Sequence, residues 1–351
     1  MQKQQIAVIF GGCSPEYEVS LKSAYSVITH MDNAIYEPIL LGITRAGAWF
    51  LFSGAPEKIL DDTWQNSDDC LPAIISPDRN TRGALIFAQG KVKAVQLHAA
   101  MPVLHGKYGE DGTVQGLLEL AGIPIVGCNV LASALCMDKD RAHKMAAAAG
   151  IRVPSSFTIA DPAELAAHLG QAERLGYPLF VKPVRAGSSY GITKVSNEDQ
   201  LSDAVHLAFQ YDDAVIIEET ITGFEVGCAV LGSGRDLIVG EVDEIELAGG
   251  FFDYKEKYTL ATSAIHVPAR VSPQKADEIK ETAKAIYHAL GCGGFARVDM
   301  FLTPAGEILF NEVNTIPGFT THSRYPNMLK AAGMPFEQVI RTLIEQAVNA
   351  K

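Results

Sequence analysis

An apolar run near the start of the chain leads directly into a pair of glycines. Residues 6–10 read IAVIF, and Gly11 and Gly12 follow at once. The run predicts a strand, and a helix is predicted near 19–28. A second strand is predicted at 38–43. Strands that alternate with helices in this way predict an α/β fold with a parallel sheet covered by helices.

The pattern continues through the first third of the chain. Residues 54–82 are polar and irregular, so we expect them to run over the surface. An apolar segment at 100–104 ends at His105 and Gly106. A helix is then predicted at 114–121 and a short strand at 123–126.

The sequence changes in character near residue 138. An alanine-rich helix is predicted at 138–149, followed by β-rich segments at 179–183, 191–195, 215–219 and 225–231. A long helix is predicted at 273–290, two paired strands at 296–301 and 307–313, and a final helix at 336–349. These changes place domain boundaries near 138 and 213.

Composition excludes several classes of protein. The chain has 351 residues, 48% hydrophobic and 20% charged, which suits a globular protein of two or three domains. Its net charge of −12 disfavours binding to nucleic acid or anionic membranes. No apolar run is long enough for a membrane span, and we expect no secretory signal. The six cysteines form no Cys-x-x-Cys pair, so we expect free thiols in the cytoplasm rather than a zinc site or disulfides.

The most informative segment is a predicted hairpin near the carboxyl end. The stretch RVD at 297–299 and the stretch NEVN at 311–314 flank a turn signal, TPAG, at 303–306. Antiparallel pairing about residues 305 and 306 places Asp299 opposite Glu312 on one side of the sheet. Because side chains alternate along a strand, Arg297 and Asn314 join that side.

This arrangement of charges predicts a metal site. Two carboxylates that face each other across a ladder repel unless a cation lies between them. Together with an amide oxygen they form an oxygen-only ligand set that suits Mg²⁺. The alternative is an exposed acidic hairpin at a sheet edge. The apolar neighbours Val298, Met300, Phe301 and Phe310 make an exposed edge less favoured.

A loop rich in glycine and serine follows Lys182. The stretch KPVRAGSSYG at 182–191 would let backbone N–H groups approach an anion closely. A strand follows it and the Gly-x-x-x-x-Gly-Lys-Ser/Thr pattern is absent, so it is not a P-loop. Farther along, VIIEE at 215–219 ends in acids, and Glu225 follows Gly223. These acids suit adenine and ribose recognition. The alternatives are a hairpin tip without a ligand and a solvated strand end.

Six stretches, taken together and in order, resemble the D-alanine–D-alanine ligases and their D-alanine–D-serine relatives of the ATP-grasp fold. They are GGCSPEYEVS at 11–20, HGKYGEDGTVQG at 105–116, MDKDRAHK at 137–144, VKPVRAGSSYG at 181–191, FFDYKEKY at 251–258 and NEVNTIPGFTTHSRYP at 311–326. The resemblance covers essentially the whole chain and implies a three-domain ATP-grasp fold with an N-terminal parallel α/β (pre-ATP-grasp) domain. The implied domains are an N-terminal α/β substrate domain at 1–137, a central ATP-grasp subdomain at 138–212, and a C-terminal subdomain at 213–351 with the metal site and a mobile loop.

The resemblance also implies the reaction of an ADP-forming carboxylate–amine ligase. The carboxylate of D-alanine attacks the γ-phosphate of ATP to give D-alanyl phosphate. The amine of a second D-amino acid then attacks, releasing phosphate and a dipeptide for peptidoglycan precursors. ATP would lie between the central and C-terminal sheets with two Mg²⁺ (or Mn²⁺). The family also suggests a homodimer.

Individual residues acquire roles from the same resemblance. Glu16 matches the acid that holds the ammonium of the first D-alanine, and its alternative is a helix-start carboxylate favoured by the helix dipole. Arg297 matches the arginine that stabilises charge on the transferring groups. The implied metal ligands are Asp299, Glu312 and Asn314. The implied ATP contacts are Lys139, Lys182, Ser188, Ser189, Glu218, Glu219, Ile221, Glu225 and Lys257. The implied substrate or catalytic contacts are Glu16, His105, Ser188, Lys257, Tyr258, Arg297, Gly318, Ser323 and Arg324.

The choice of second substrate rests on two positions. Lys257 and Tyr258 in the mobile loop resemble the dipeptide-forming branch, so D-lactate is disfavoured. Many D-alanine–D-alanine ligases have an aliphatic residue at the position of Arg324. An arginine there resembles the resistance-type ligases that use D-serine or D-lactate. A guanidinium near the second subsite favours a hydroxymethyl group over a methyl, so we predict D-serine and, with it, vancomycin resistance. The alternatives are a housekeeping D-alanine–D-alanine ligase and, for Arg324, a surface arginine paired with an acid.

Overall fold

A computed structural model describes residues 3–66, 68–247 and 263–349. Over these residues the chain forms three β-sheets, and helices pack on them. The predicted α/β class is therefore confirmed. None of the helices in the described part of the chain is long and apolar enough to cross a membrane.

The N-terminal sheet is parallel only around its first strand. Its strands are β1 (Gln4–Gly11), β2 (Tyr36–Ile43), β3 (Trp49–Phe52), β4 (Cys70–Ile75), β5 (Gly83–Ala88), β6 (Lys91–Gln96) and β7 (Ala99–Pro102), in the order β6-β5-β4-β3-β2-β1-β7. Strand β1 pairs in parallel with β2 and β7, whereas β2 through β6 pair antiparallel. The prediction of a parallel sheet thus holds for three strands, and four antiparallel strands extend the sheet on one side.

Two predictions for this region are wrong. Residues 54–82 include the short helix α2 (Glu57–Leu60) and strand β4, although they were expected to be irregular. Strand β4 forms because Ala73 and Ile75 alternate into the core while Ile74 points outward. Residues 123–126 form only an isolated bridge between Ile125 and Ala100 instead of a strand.

Helices cover both faces of this sheet. They are α1 (Tyr17–His30) and α3 (Thr113–Leu120), whereas α4 (Val130–Met137) and α5 (Lys139–Ala148) pack in another core, with Val226 and Phe310. Residues of β1 alternate between two cores: Val8 and Phe10 pack with α1, whereas Ala7 and Ile9 pack with α3. Asp138 separates α4 from α5, because its carboxylate accepts the Arg141 N–H as an N-cap.

The central sheet has the order β10-β9-β11-β8. Its strands are β8 (Ser156–Ile159), β9 (Leu179–Pro183), β10 (Thr193–Val195) and β11 (Val215–Glu219), with helices α6 (Leu165–Leu175) and α7 (Leu201–Ala208) packed on it. Strand β11 belongs to this sheet, which therefore extends past the boundary near 213. The domain limits themselves stay predictions.

The C-terminal sheet contains β12 (Phe224–Ser233), β13 (Asp236–Val239), β14 (Asp243–Leu247), β15 (Ser263–His266), β16 (Phe295–Leu302) and β17 (Ile308–Asn314). Its order is β15-β14-β12-β16-β17, with β13 paired to β12. The helices are α8 (Pro273–Ala289), α9 (Arg324–Ala331) and α10 (Phe336–Asn349). Helix α10 returns to the N-terminal core, where Phe336, Val339 and Ile340 share a cluster with Val27 of α1. The two ends of the chain are thereby packed together.

Candidate active site

Strands β16 and β17 bring two acids face to face. Asp299 pairs with Glu312, and Arg297 pairs with Asn314 two residues away. The predicted opposition of the two acids is confirmed. Nearer the turn, the strand pairing is centred on Ala305. The predicted pairing was centred between residues 305 and 306, so the two registers differ there by one residue. A bulge next to Met300 absorbs the extra residue of β17 and restores the predicted register at the acids.

A row of acids continues across two further strands. Gly227 of β12 pairs with Asp299 on one side and with Asp243 of β14 on the other. Cross-strand partners share a face, so Asp243, Gly227, Asp299 and Glu312 lie side by side across four strands. Gly227 contributes no side chain, and its position is the gap in the row.

Arg324, at the start of α9, fills that gap. Its Nε lies 2.6 Å from Oδ2 of Asp243 and its Nη2 lies 2.8 Å from Oδ1. Nη1 lies 3.2 Å from Glu225, and Nη2 lies 3.3 Å from Asp299. A Cβ atom on Gly227 would come within 2.4 Å of Nη2, so only glycine leaves room for the guanidinium.

The side chain of Arg324 is only 9% exposed, so it is not a surface arginine. Burial alone would lower its pKa, but the facing carboxylates of Asp243, Asp299 and Glu225 raise the pKa well above its usual value. Asp243, which is fully buried, was not singled out from the sequence. No local pattern marks it, because its partner lies 81 residues away.

Asp299 is the most heavily bonded acid of the row. Arg297 donates from Nε at 2.8 Å and from Nη2 at 2.7 Å, and Asn314 donates from Nδ2 at 2.9 Å. Asp299 is 1% exposed, so these charge-assisted bonds compensate the loss of its hydration. Burial alone would lower the pKa of Arg297, but Asp299 raises it.

The donor set around Asp299 fits a hard divalent cation. Asp299 and Glu312 supply carboxylate oxygens, and Asn314 supplies an amide oxygen, as Mg²⁺ prefers. Within residues 3–66, 68–247 and 263–349, no three His, Cys, Asp or Glu side chains cluster as metal ligands. Any cation here would therefore depend on the amide and on oxygen atoms from a bound ligand.

A cavity of about 350 Å³ opens beside Glu312, between the central and C-terminal sheets. It is lined by most of the predicted ATP contacts, namely Lys139, Lys182, Ser189, Glu218, Glu219, Ile221 and Glu225. The apolar side chains of Phe180 and Phe224 line it as well, which gives a flat base something to pack against. Residues that are far apart in the sequence, from Lys139 to Glu312, thus line the same cavity.

Two of the three lysines that line this cavity face acids. Lys182 pairs with Glu218, and Lys139 Nζ lies 3.7 Å from Glu312 and donates to the Ala186 carbonyl at 2.7 Å. Burial alone would raise the pKa of Glu218, but Lys182, together with His143 and Lys139, outweighs burial and lowers that pKa. Both ammonium groups are therefore fixed at the cavity wall, where a phosphate could bind them.

The glycine loop reaches across to the N-terminal region. The Ser188 hydroxyl donates to the carboxylate of Glu16, and both Ser188 and Ser189 have positive φ angles, 49° and 60°. A Cβ atom on Gly106 would lie 2.4 Å from Glu16 Oε2, and one on Gly187 would lie 3.0 Å away. Glu16 is 8% exposed and occupies the N-cap position of α1 without a side-chain capping bond, so the structure retains the alternative of a helix-start carboxylate beside the contact with Ser188.

His105 and Glu110 contact the segment that follows β17. His105 Nδ1 donates to the Ile316 carbonyl at 2.8 Å, and the Ile316 N–H donates to Glu110 at 3.0 Å. Burial lowers the pKa of His105 to about 4. Burial, together with the charge of Glu16, raises the pKa of Glu110 to about 8. Glu110 was missed as a site residue, although an acid inside the HGKYGEDG stretch was a visible signal.

The remaining predicted residues lie near this segment or outside the described chain. The Ser323 hydroxyl accepts the Thr320 N–H at 3.0 Å and lies next to Gly318. Gly318 and Ser323 therefore belong to the same turn as Ile316. Lys257 and Tyr258, with the FFDYKEKY stretch, lie outside the described residues.

Comparison with known proteins identifies the family of this chain. Family models described as the N-terminus and the C-terminus of D-Ala D-Ala ligase match residues 5–128 and 145–345. The Enterococcus faecalis vancomycin B-type resistance protein VanB is 45% identical over 99% of this chain and 100% of its own. A Streptomyces coelicolor protein, described provisionally as a D-alanine–D-lactate ligase, is 46% identical over 100% of this chain and 99% of its own.

A solved structure is more similar still. The crystal structure of the VanG D-Ala:D-Ser ligase from Enterococcus faecalis is 56% identical, covers 99% of this chain and 100% of that one, and superposes with a TM-score of 0.92. With these matches over the whole chain, the resemblance and the three-domain ATP-grasp fold implied by the sequence are confirmed. The chain belongs to the D-alanine–D-alanine ligase family.

Proposed function

We propose that this ligase joins D-alanine to D-serine with ATP and thereby supplies a modified peptidoglycan precursor that confers vancomycin resistance. The observation that carries the choice of D-serine is the 56% identity, over the whole chain, to a D-Ala:D-Ser ligase. The buried guanidinium of Arg324 supports it, because a polar group at the second subsite favours a hydroxymethyl side chain. The reaction uses ATP and is therefore assigned to the cytoplasm.

The first step activates D-alanine. Glu16, enclosed by Gly106 and Gly187 and bonded to Ser188, binds the ammonium of D-alanine. The D-alanine carboxylate attacks the γ-phosphorus of ATP, forming D-alanyl phosphate and releasing ADP. Lys139 and Lys182 at the wall of the cavity bind the phosphates.

The second step forms the peptide bond. The D-serine amine attacks the acyl carbon, phosphate leaves, and the amine loses a proton. Arg297 next to Asp299 stabilises the charge that develops on the acyl and phosphoryl oxygens. Gly318 and Ser323 bind the substrate carboxylate and the oxyanion. Asp299, Glu312 and Asn314 would hold two Mg²⁺ (or Mn²⁺), which would neutralise negative charge on the phosphates.

D-Lactate is the second candidate for the attacking group. It is supported by the 46% identity to the Streptomyces coelicolor protein described as a D-alanine–D-lactate ligase. The Lys257-Tyr258 pair argues against it, since this pair resembles the dipeptide-forming branch. The housekeeping reaction with a second D-alanine is less favoured, because two D-alanine–D-alanine ligases similar to this chain share only 42% and 41% identity with it.

Phosphate release and product analysis test the proposal. The purified enzyme is given ATP, Mg²⁺ and D-alanine, alone and with D-serine or D-lactate, and the products are identified by mass spectrometry. We expect D-alanyl-D-serine as the main product of the mixture with D-serine. D-Alanyl-D-alanine alone, or a depsipeptide with D-lactate as the main product, would overturn the choice of D-serine. No phosphate release with D-alanine in any combination would overturn the ligase activity itself.

An exposed apolar face supports a homodimer. Strands β4, β5 and β6 place Ile74 beside Leu85 and Phe87 beside Val92 on the face opposite the core. Ile74, Phe87 and Val92 are 46%, 39% and 58% exposed. A two-fold contact would cover the same patch on both subunits. Light scattering should therefore give a dimer mass that Val92→Lys lowers, whereas Ile238→Lys, on another sheet, leaves it unchanged.

A further inference from the structure

One peptide group of the segment after β17 is bonded on both sides by the N-terminal region. The Ile316 N–H donates to Glu110 Oε1 at 3.0 Å, and the Ile316 carbonyl accepts from His105 Nδ1 at 2.8 Å. The other oxygen of Glu110 accepts the Gly106 N–H at 2.8 Å, next to His105 in the chain. Glu110 therefore connects two parts of the chain. One is the turn next to His105, and the other is the segment around Ile316, which His105 also contacts.

Ser23 of α1 adds a third contact. Its hydroxyl lies 3.1 Å from His105 Nε2 and accepts the Phe319 N–H at 3.2 Å. His105 Nδ1 faces a carbonyl and must carry the proton, so Nε2 accepts the Ser23 O–H. Each donor in this chain of bonds then meets an acceptor while the imidazole is neutral.

The segment between β17 and α9 has little support of its own. Residues 315–323 lie between Asn314, where β17 ends, and Arg324, where α9 begins. Apart from Ser323, whose carbonyl accepts the Asn327 N–H of α9, their backbone groups lie outside any ladder or helix, so buried ones need partners elsewhere. Ile316 is 5% exposed and Phe319 is 1% exposed, and the N-terminal region supplies acceptors for both of their N–H groups.

We propose that Glu110, His105 and Ser23 are positioning residues that hold segment 315–323 in the arrangement needed for the reaction. The proposal rests on the proposed function, in which Asn314 binds the cation and Gly318 contacts the substrate. These two residues flank Ile316 two positions away on either side. Fixing the Ile316 peptide therefore fixes the spacing between the metal site and the oxyanion site.

This role differs from direct substrate binding by His105. His105 is 4% exposed, and both of its ring nitrogens are bonded within the protein. Glu110 lies between the first-substrate acid Glu16 and the segment that carries Gly318. The N-terminal region thus does more than bind the first D-alanine, because it also orders part of the C-terminal half of the site.

Glu110→Gln tests the proposal. A glutamine keeps the shape but has one carbonyl oxygen, so it can accept only one of the two N–H groups and faces the other with its own donor. Hydrogen exchange is measured by mass spectrometry on peptides that span 315–323. We expect exchange there to rise at least tenfold, kcat to fall at least tenfold, and KM for ATP to change less than threefold.

The control is Glu57→Gln, which makes the same change at an exposed glutamate of α2. We expect it to leave exchange and kcat as in the natural protein. Ser23→Ala provides a second variant if Glu110→Gln folds poorly, because it removes only the acceptor of Phe319 and the donor to His105.

The outcomes separate this proposal from the proposed function. Unchanged exchange over 315–323 in both Glu110→Gln and Ser23→Ala would show that these residues do not hold the segment. Faster exchange with an unchanged kcat would show that holding it does not serve the reaction. A wild-type enzyme that makes another product would overturn the choice of D-serine, and the exchange result would still decide whether the segment is held.

Discussion

The guanidinium of Arg324 lies against the carboxylate of Asp243, with Nε–Oδ2 and Nη2–Oδ1 distances of 2.6 and 2.8 Å. This two-point pair fixes the arginine over Gly227, between aspartates of the two strands that flank β12. The same guanidinium contacts Glu225, which lines the cavity beside Glu312. A residue chosen from the sequence as a substrate selector is therefore also the counter-ion of a buried acidic row.

Arg324→Leu is expected to have two effects. The preference should shift from D-serine toward D-alanine, since the polar group at the second subsite is lost. Stability should fall by about 3 kcal/mol, because buried carboxylates lose their counter-ion. Competition between D-serine and D-alanine gives the first effect, and thermal or urea unfolding gives the second. Asp243→Asn, which keeps the arginine but weakens its orientation, should shift the product ratio in the same direction by less. An unchanged ratio in both variants would mean that Arg324 is not the selector.

Glu312→Gln should impair metal use. The change removes a negative charge from an oxygen ligand set that suits Mg²⁺. We expect kcat to fall at least a hundredfold and the Mg²⁺ concentration for half-maximal rate to rise, both measured by phosphate release. Glu307→Gln is the control, because this glutamate lies between the same two strands but pairs with Arg152 at the surface. Wild-type rates in Glu312→Gln would refute the metal role.

Gly106→Ala should weaken binding of the first D-alanine. Its φ angle is +74°, and a Cβ atom would lie 2.4 Å from Glu16 Oε2, so the carboxylate must move. We expect KM for D-alanine at the first subsite to rise at least tenfold, in steady-state kinetics. Gly150→Ala is a matched control, because its φ is +82° but its Cβ would meet nothing within 4 Å. Both variants carry about 1 kcal/mol of backbone strain, so equal KM values would exclude the steric effect.

Acid should destabilise the fold partly through His105. Burial lowers the pKa of His105 in the folded protein to about 4, against about 6.5 in an unfolded chain. Between these values the unfolded state binds more protons, so stability falls as the pH drops. The contribution is about 2 kcal/mol between pH 7 and pH 5. Urea unfolding at several pH values should show a shallower pH dependence in His105→Asn. The comparison isolates His105 from His143, whose pKa is also lowered by burial. An identical slope in the variant would contradict the assignment.

Local patterns in the sequence were enough to predict the acidic hairpin. Strand alternation and one turn signal placed Asp299 opposite Glu312, as the structure has them. The bulge beside Met300 was not predictable in this way, because it depends on how β17 packs rather than on its composition. The predicted and observed registers therefore agree at Asp299 and Glu312 for two reasons. The alternation argument was sound, and a bulge that no local pattern marks shifts the register by one residue.

Long-range partners account for most of what sequence reasoning missed. Asp243 and Arg324 meet because β14 and α9 flank β12, which needs the topology of the whole C-terminal sheet. Glu110 meets Ile316 across 206 residues. Motif resemblance marked the stretches that contain Arg324, Glu110 and Ile316, but it did not pair them. Three-dimensional pairing of charges had to come from the fold.

The empty position at Gly227 has a consequence for how sequences of this family can vary. An arginine at 324 fits only while 227 has no side chain, since a Cβ there would overlap Nη2 at 2.4 Å. A substitution at either position alone is therefore disfavoured, and the residues at 227 and 324 should covary. In an alignment of relatives, arginine at position 324 should occur with glycine at position 227. Chains with a larger residue at 227 should carry a shorter or uncharged one at 324, so this strand glycine would mark the substrate branch as clearly as the arginine does.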